Sequence, residues 1–239
     1  MNNTKFYYLY SILSTTALSF FNPILYIYLL SKDFSFTEVG LYLSIFWLVS
    51  FMTELPCGAI TDNIGAKNSI LLSVIFRVVG LILLLSNSLI LLYISAILSA
   101  IAESFQSGTL TSWLVNVNNK NNEEIDIDKV LSRSSLYSLF FSAVIGFISA
   151  KYVYVYYKSL SIIFSMSIFI ISFLFTYLFM KKLEQTQKIS IENLKGSIVT
   201  VKNSLKETLY VKSSVFLMIL FVIPSILDLG PSNQWQAVF

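Results

Sequence analysis

The chain has 239 residues, of which 56% are hydrophobic and only 12% charged, with 16 Lys and Arg against 13 Asp and Glu for a net charge of +3. Soluble domains carry about 25% charged residues, so this share is too small to coat a protein in water, and so mild a positive balance does not point to nucleic acid. The absence of histidine removes the commonest general base and metal ligand, and the lone cysteine, Cys57, excludes an intrachain disulfide.

A bilayer core about 30 Å thick takes roughly 20 apolar residues to cross as a helix. Seven runs meet that length, at about 6–30, 38–60, 69–86, 89–114, 131–150, 159–180 and 213–230. The first is too long for the apolar core of a signal peptide, roughly 7–15 residues, and only Lys5 precedes it. Asn22-Pro23 inside it predicts a kink, which either shapes a cavity mouth or is purely structural. Small residues recur every four positions in span four (Ala96, Ala100, Ser104, Gly108, Ser112) and span five (Ser138, Ser142, Gly146, Ala150). They read as stripes that let helices approach closely. Trp47 and Trp113 read as lipid-facing or interfacial residues.

The loops set the orientation, because Lys and Arg gather on the cytoplasmic side. With the N-terminus inside, twelve fall on that side: Lys5, Lys67, Lys120, Lys129, Arg133, Lys181, Lys182, Lys188, Lys195, Lys202, Lys206 and Lys212. Only Lys32, Lys151 and Lys158 fall outside. The expectation is a multi-pass protein of the cell membrane with a cytoplasmic N-terminus. Within the basic stretch after span six, Ile191, Leu194, Ile198, Val201, Leu205 and Leu209 recur at helical steps. They predict an amphipathic helix lying on the cytoplasmic membrane surface or against the bundle.

Between spans two and three stands Gly58-Ala59-Ile60-Thr61-Asp62-Asn63-Ile64-Gly65-Ala66-Lys67. This resembles the loop signature of the major facilitator superfamily, Gly-x-Leu-Ala-Asp-Arg-x-Gly-Arg-Lys. Gly58, Asp62, Gly65 and Lys67 match; Asn63 and Ala66 stand where the family has basic residues. The resemblance implies an all-α, polytopic transmembrane bundle: a six-helix N-terminal half over 1–180, a cytoplasmic linker over 181–212, and from 213 to 239 a seventh helix that opens a second half. It also implies that Asp62 works at an inner gate, that spans one and four line a central cavity, and that the task is secondary transport of small molecules. Export of drug-like or other small compounds, with protons as coupling ion, is the expected form. The Gly-Pro signature of drug–proton antiporters is absent from span five.

Ionisable groups inside a membrane are costly, about 2.5–3.5 kcal/mol at the centre on insertion scales, and so call for partners or a function. Glu54, Arg77 and Glu103 lie within spans two, three and four, and Asp228 near the end of span seven. Glu54 and Arg77 are expected as neighbours across the span two–three hairpin, with Glu103 in reach of Arg77. Glu103, with Gln106 beside it, reads as a proton-exchanging, cavity-lining carboxylate or else as half of a structural pair. The substrate and proton pathway thus comprises Glu103, Gln106, Arg77, Glu54 and Asn22.

No Gly-x-x-x-x-Gly-Lys-Ser/Thr loop, His-Glu-x-x-His helix or Gly-x-Ser-x-Gly elbow occurs. No enzyme activity, cofactor or metal is expected. The partners expected are membrane lipid, a small-molecule substrate and H+. A reading from another class stays open: a non-transporting fragment or membrane interaction subunit, since Phe239 follows soon after span seven. A missing C-terminal half or a second copy would then complete the bundle. The composition, rich in Asn, Lys, Ile and Phe, resembles that of an AT-rich bacterial genome.

Overall fold

The computed structural model describes residues 2–121, 125–180 and 220. The chain divides into two units, Met1–Gln187 and Lys188–Phe239. The first holds six helices long and apolar enough to cross a membrane: Asn3–Leu30, Phe36–Ile64, Ala66–Leu84, Leu89–Lys120, Ile127–Tyr156 and Leu160–Phe179. They are spans one to six, and no strand occurs among the described residues. The linker expected over 181–212 and the seventh span expected over 213–230, with Asp228, lie outside the described residues apart from the helical Leu220.

Local chemistry fixes several ends. Asn2 caps span one by accepting from the Thr4 N–H. Ser35 and Glu38 form a reciprocal capping box at span two, which satisfies two of the N–H groups a helix start leaves unpaired. Asp126 caps span five by accepting from the Lys129 N–H alone. Gly65, at φ 83°, turns the chain between spans two and three within a single residue.

Two lysines close helix C-termini from a distance. Lys32 Nζ donates to the carbonyls of Leu84, Leu85 and Ser86 at 3.2, 2.5 and 2.8 Å, at the end of span three. A cation there meets the negative end of the helix dipole and its unpaired carbonyls. Partial burial lowers the pKa of this ammonium below the ordinary lysine value. Lys67 Nζ donates to the Tyr177 carbonyl at 2.7 Å, near the end of span six, and lies 5.5 Å from the Tyr177 ring.

Packing does not follow chain order. Span one packs on spans five and six, span four on spans two and three, and spans three and six join the two groups. Serine hydroxyls make many of the crossings. Ser73 donates to the Ala102 carbonyl (2.7 Å), Ser95 to Gly80 (2.8 Å), Ser165 to Ala17 (2.6 Å) and Ser149 to Phe20 (2.5 Å). Ser104 donates to the Ser50 carbonyl and meets the Thr53 hydroxyl, which ties span two to span four.

Those ties correct one expectation. Span two leans on span four rather than forming a close hairpin with span three, and residues 50 and 53 face the contact. Glu54, one residue further and so about 100° around the helix, is turned to the exposed side. The guanidinium of Arg77 goes to Glu103 instead.

The small-residue stripes hold only in part. Ala96, Ala100 and Ser104 are buried as expected, but the helix of span four stops at Gln106 and restarts at Thr109, leaving Gly108 exposed at φ 66°. In span five, Ser142 meets Ser19, and a Cβ on Gly146 would lie 3.3 Å from the Pro23 ring, which stands in the 3-10 turn Asn22–Ile24 that interrupts span one. A π-turn over Ser149–Val153 then shifts the phase, so Ser149 is buried in place of Ala150. Trp113 is also corrected. It is 1% exposed and packs edge-on against Phe6 at 5.2 Å, within a cluster that includes Leu114, Val117 and Val130. Trp47 is exposed.

Close approach is tightest at Gly80, where an added Cβ would lie 2.7 Å from Ser99 Oγ and 3.3 Å from the Ser95 carbonyl oxygen. Gly80→Ala is therefore expected to destabilise the bundle by about 1–3 kcal/mol. Gly40→Ala, whose methyl meets nothing within 4 Å, is expected to be neutral or slightly stabilising. Thermal unfolding of the two variants in the same detergent checks the difference.

Candidate functional site

Near the N-terminal end of span one, a cavity of about 270 Å3 opens between spans one, four and five. Antiparallel neighbours bring three stretches to the same level. Span one contributes Tyr7, Tyr10, Ser11, Ser14 and Thr15; span four contributes Gln106, Gly108, Leu110 and Thr111; span five contributes Ser134, Ser135 and Ser138. Residues 11, 14 and 15 share one helix face, as do 134 and 138, because positions three or four apart stack along a helix.

The break in span four shapes this cavity. Ser107 ends the first segment with its N–H on the Glu103 carbonyl at 2.8 Å, and Gly108 takes the left-handed conformation. The second segment starts at Thr109, whose hydroxyl reaches back to the Phe105 carbonyl at 2.8 Å. Gly108, Leu110 and Thr111 thus reach the cavity at a point where helix periodicity is interrupted. Irregular backbone at membrane depth is tolerated where it is enclosed by protein or lines a polar space.

Hydrogen bonds connect the cavity wall. Gln106 Nε2 donates to Ser14 Oγ at 2.5 Å, and the Tyr7 and Thr111 hydroxyls meet at 3.2 Å. One turn from Gln106 on span four stands Glu103. It forms an ion pair with Arg77 of span three through Nη2 and Oε2, the one ion pair among the described residues. The Arg77 side chain is 4% exposed and that of Glu103 43%, so the cation is enclosed and the carboxylate accessible. Arg77 Nε, also buried, has no hydrogen-bond partner among the described residues. Both charges lie within electrostatic reach of the Tyr10 hydroxyl, and Arg77 within reach of that of Tyr42 on span two.

The residues singled out from sequence are therefore dispersed. Gln106 lines the cavity, and Arg77 and Glu103 form the pair next to it. Asn22 lies about two helical turns beyond Thr15 along span one, in the 3-10 turn and away from the cavity lining. Glu54 is on the exposed face of span two. In the loop signature, a Cβ on Gly58 would meet nothing within 4 Å, so close packing within this unit does not account for that glycine. Asp62 is exposed and makes no hydrogen bond or ion pair among the described residues. Lys67 is committed to the end of span six.

Sequence reasoning missed the hydroxyls of spans one and five. A signal existed: Ser11, Ser14 and Thr15, and Ser134, Ser135 and Ser138, are polar groups at helical spacing in otherwise apolar spans. Ser138 also belongs to the small-residue stripe of span five.

Gly108 gives a direct check on the break. An alanine there must hold a left-handed backbone, which costs about 1–2 kcal/mol, whereas asparagine tolerates it better. Gly108→Ala is expected to lower the thermal stability of the protein in detergent by that order, and Gly108→Asn by less.

Comparison with known proteins fits this architecture. A family model described as Major Facilitator Superfamily matches residues 7–236. A relative from Bacillus subtilis (strain 168), described as the uncharacterized MFS-type transporter YxaM, is 26% identical over 220 residues. That match covers 90% of this chain but 53% of the relative, so the chain spans about half the length of the curated protein it matches. Six membrane-length helices, the loop signature between the second and third, and a family match over nearly the whole chain agree: the chain belongs to the Major Facilitator Superfamily.

Proposed function

We propose that the chain is the N-terminal part of a proton-coupled secondary transporter that exports small molecules across the cell membrane, with its N-terminus in the cytoplasm. The observation that carries this reading is the Arg77–Glu103 pair standing one helical turn from a polar cavity. Glu103 is accessible enough to exchange a proton, and Arg77 is enclosed. A proton on Glu103 removes the counter-charge and leaves a buried guanidinium unpaired, a costly state in a low-dielectric interior. Loading and unloading that proton would therefore bias the bundle between two arrangements. Tyr10 lies within reach of both charges and on the cavity wall, so it would relay the change to a bound substrate.

In this reading six-helix halves rock about a site near the bilayer midplane. Asp62, exposed and without a partner among the described residues, would engage the facing half at the inner gate. Glu54, a carboxylate on the exposed face of a membrane span, would face a water-filled path or the second half rather than lipid, since charge in hydrocarbon is costly. The preponderance of Lys and Arg on the N-terminal side supports the orientation; family resemblance supports export.

The test is transport in sealed vesicles that contain the chain with a complementary second half, under an imposed proton gradient of either sign. Substrate movement is expected to collapse when the gradient is dissipated, and Glu103→Gln is expected to abolish proton dependence while the protein still inserts. Transport that ignores the gradient would remove the coupling, movement only inward would reverse the direction, and no transport with the second half supplied would leave a membrane interaction protein.

A further inference from the structure

The cavity chemistry speaks to what is carried, and the inference rests on the transporter reading above. Among the described residues no charged side chain lines the cavity, and the one aliphatic side chain that does is Leu110. The nearest charges, Arg77 and Glu103, neutralise each other. A lipophilic cation entering here would find no free carboxylate, and an apolar molecule would strip water from hydroxyls without replacing its bonds. Each such loss is costly in a buried site.

The lining instead carries hydroxyls from spans one and five. On span one, Ser14 is already bonded to Gln106, but Ser11 is not engaged through its hydroxyl. On span five, Ser134, Ser135 and Ser138 likewise make no side-chain hydrogen bond among the described residues. Ser134 is 4% exposed as a residue and lines the cavity. A serine in a helix commonly bonds back to the carbonyl four residues earlier, as Ser19 and Ser44 do here. These four hydroxyls have not used that outlet. A hydroxyl both donates and accepts, so four of them on two helices around one cavity match a ligand that does the same at several points. A volume of about 270 Å3 is just below the usual range for small-molecule pockets, about 300–1,000 Å3.

We infer that this cavity is the substrate subsite and that it takes a small uncharged polyhydroxylated molecule, a monosaccharide or an open-chain polyol. Specificity follows from hydrogen bonding, since a site built of hydrogen-bonding groups rejects analogues that lack the matching groups.

The experiment compares radiolabelled glucose, ribose and mannitol with the fluorescent cation ethidium in vesicles that contain the chain with its second half. Movement of a sugar or polyol is expected, with KM raised about tenfold in Ser134→Ala/Ser138→Ala and the maximal rate little changed. Ser135→Ala, at an exposed lining position, gives the same readout with a smaller rise should the double variant fail to fold. Sugar transport with KM unmoved in both variants would overturn the site. Transport of ethidium without any sugar or polyol would overturn the substrate class and leave the transporter standing. Transport of neither would overturn the transporter reading, and this inference with it.

Discussion

Between helices in a bilayer the hydrophobic effect offers little preference, because lipid tails are as apolar as leucine. What holds this bundle is the serine hydroxyl donated across a helix contact to a main-chain carbonyl. Ser73, Ser95, Ser104, Ser149 and Ser165 each make such a bond. Each contributes a modest amount, about 0.6 kcal/mol on average for such polar contacts in a membrane protein. Their value is directional as well: a hydroxyl that must meet one carbonyl fixes the rotation and height of its helix. The glycine at position 80 belongs to the same contact: it accepts from Ser95, and an added Cβ would lie 2.7 Å from Ser99 Oγ and 3.3 Å from the Ser95 carbonyl oxygen.

Once rotation is fixed, the placement of charge follows. Ser104 turned toward span two puts Glu103, its neighbour, on the side where Arg77 arrives from span three. The same contact turns Glu54 outward. The two intramembrane acids therefore differ in situation for a packing reason: one is tied to a buried cation, the other is presented on the surface of this unit. The hydroxyls of Ser134, Ser135 and Ser138 belong to the same residue type as the packing serines but make no bond to a carbonyl among the described residues. In one case the hydroxyl stabilises a contact, in the other it lines a space.

Much of this was legible in the sequence. Apolar runs gave six spans whose positions agree with the helices, because length and hydropathy alone decide what can cross a bilayer. The loop signature pointed to the family. The Arg77–Glu103 pairing followed from depth and reach. What sequence could not show was which helix lies against which. The expected neighbourhood of Glu54 and Arg77 assumed that chain neighbours pack together, and here they do so weakly. Nor did periodicity reveal the break at Ser107-Gly108 or the π-turn at Ser149–Val153, since each alters phase without altering hydropathy. Trp113 and Ala150 were misplaced for that reason.

The exchange of partners among the spans bears on how the protein is made. Span two finds its main partner in span four, and span one finds its partners in spans five and six. A chain leaving the ribosome delivers its first two helices to the bilayer before the partner of either has been synthesised. Ser19, Ala17 and Phe20 wait for residues more than a hundred positions later. During that interval the early helices must persist on their own hydropathy, and Arg77 must tolerate the membrane until Glu103 arrives. Spans two to four, with the Arg77–Glu103 pair, can close on one another once span four is made, whereas span one is completed only when spans five and six follow.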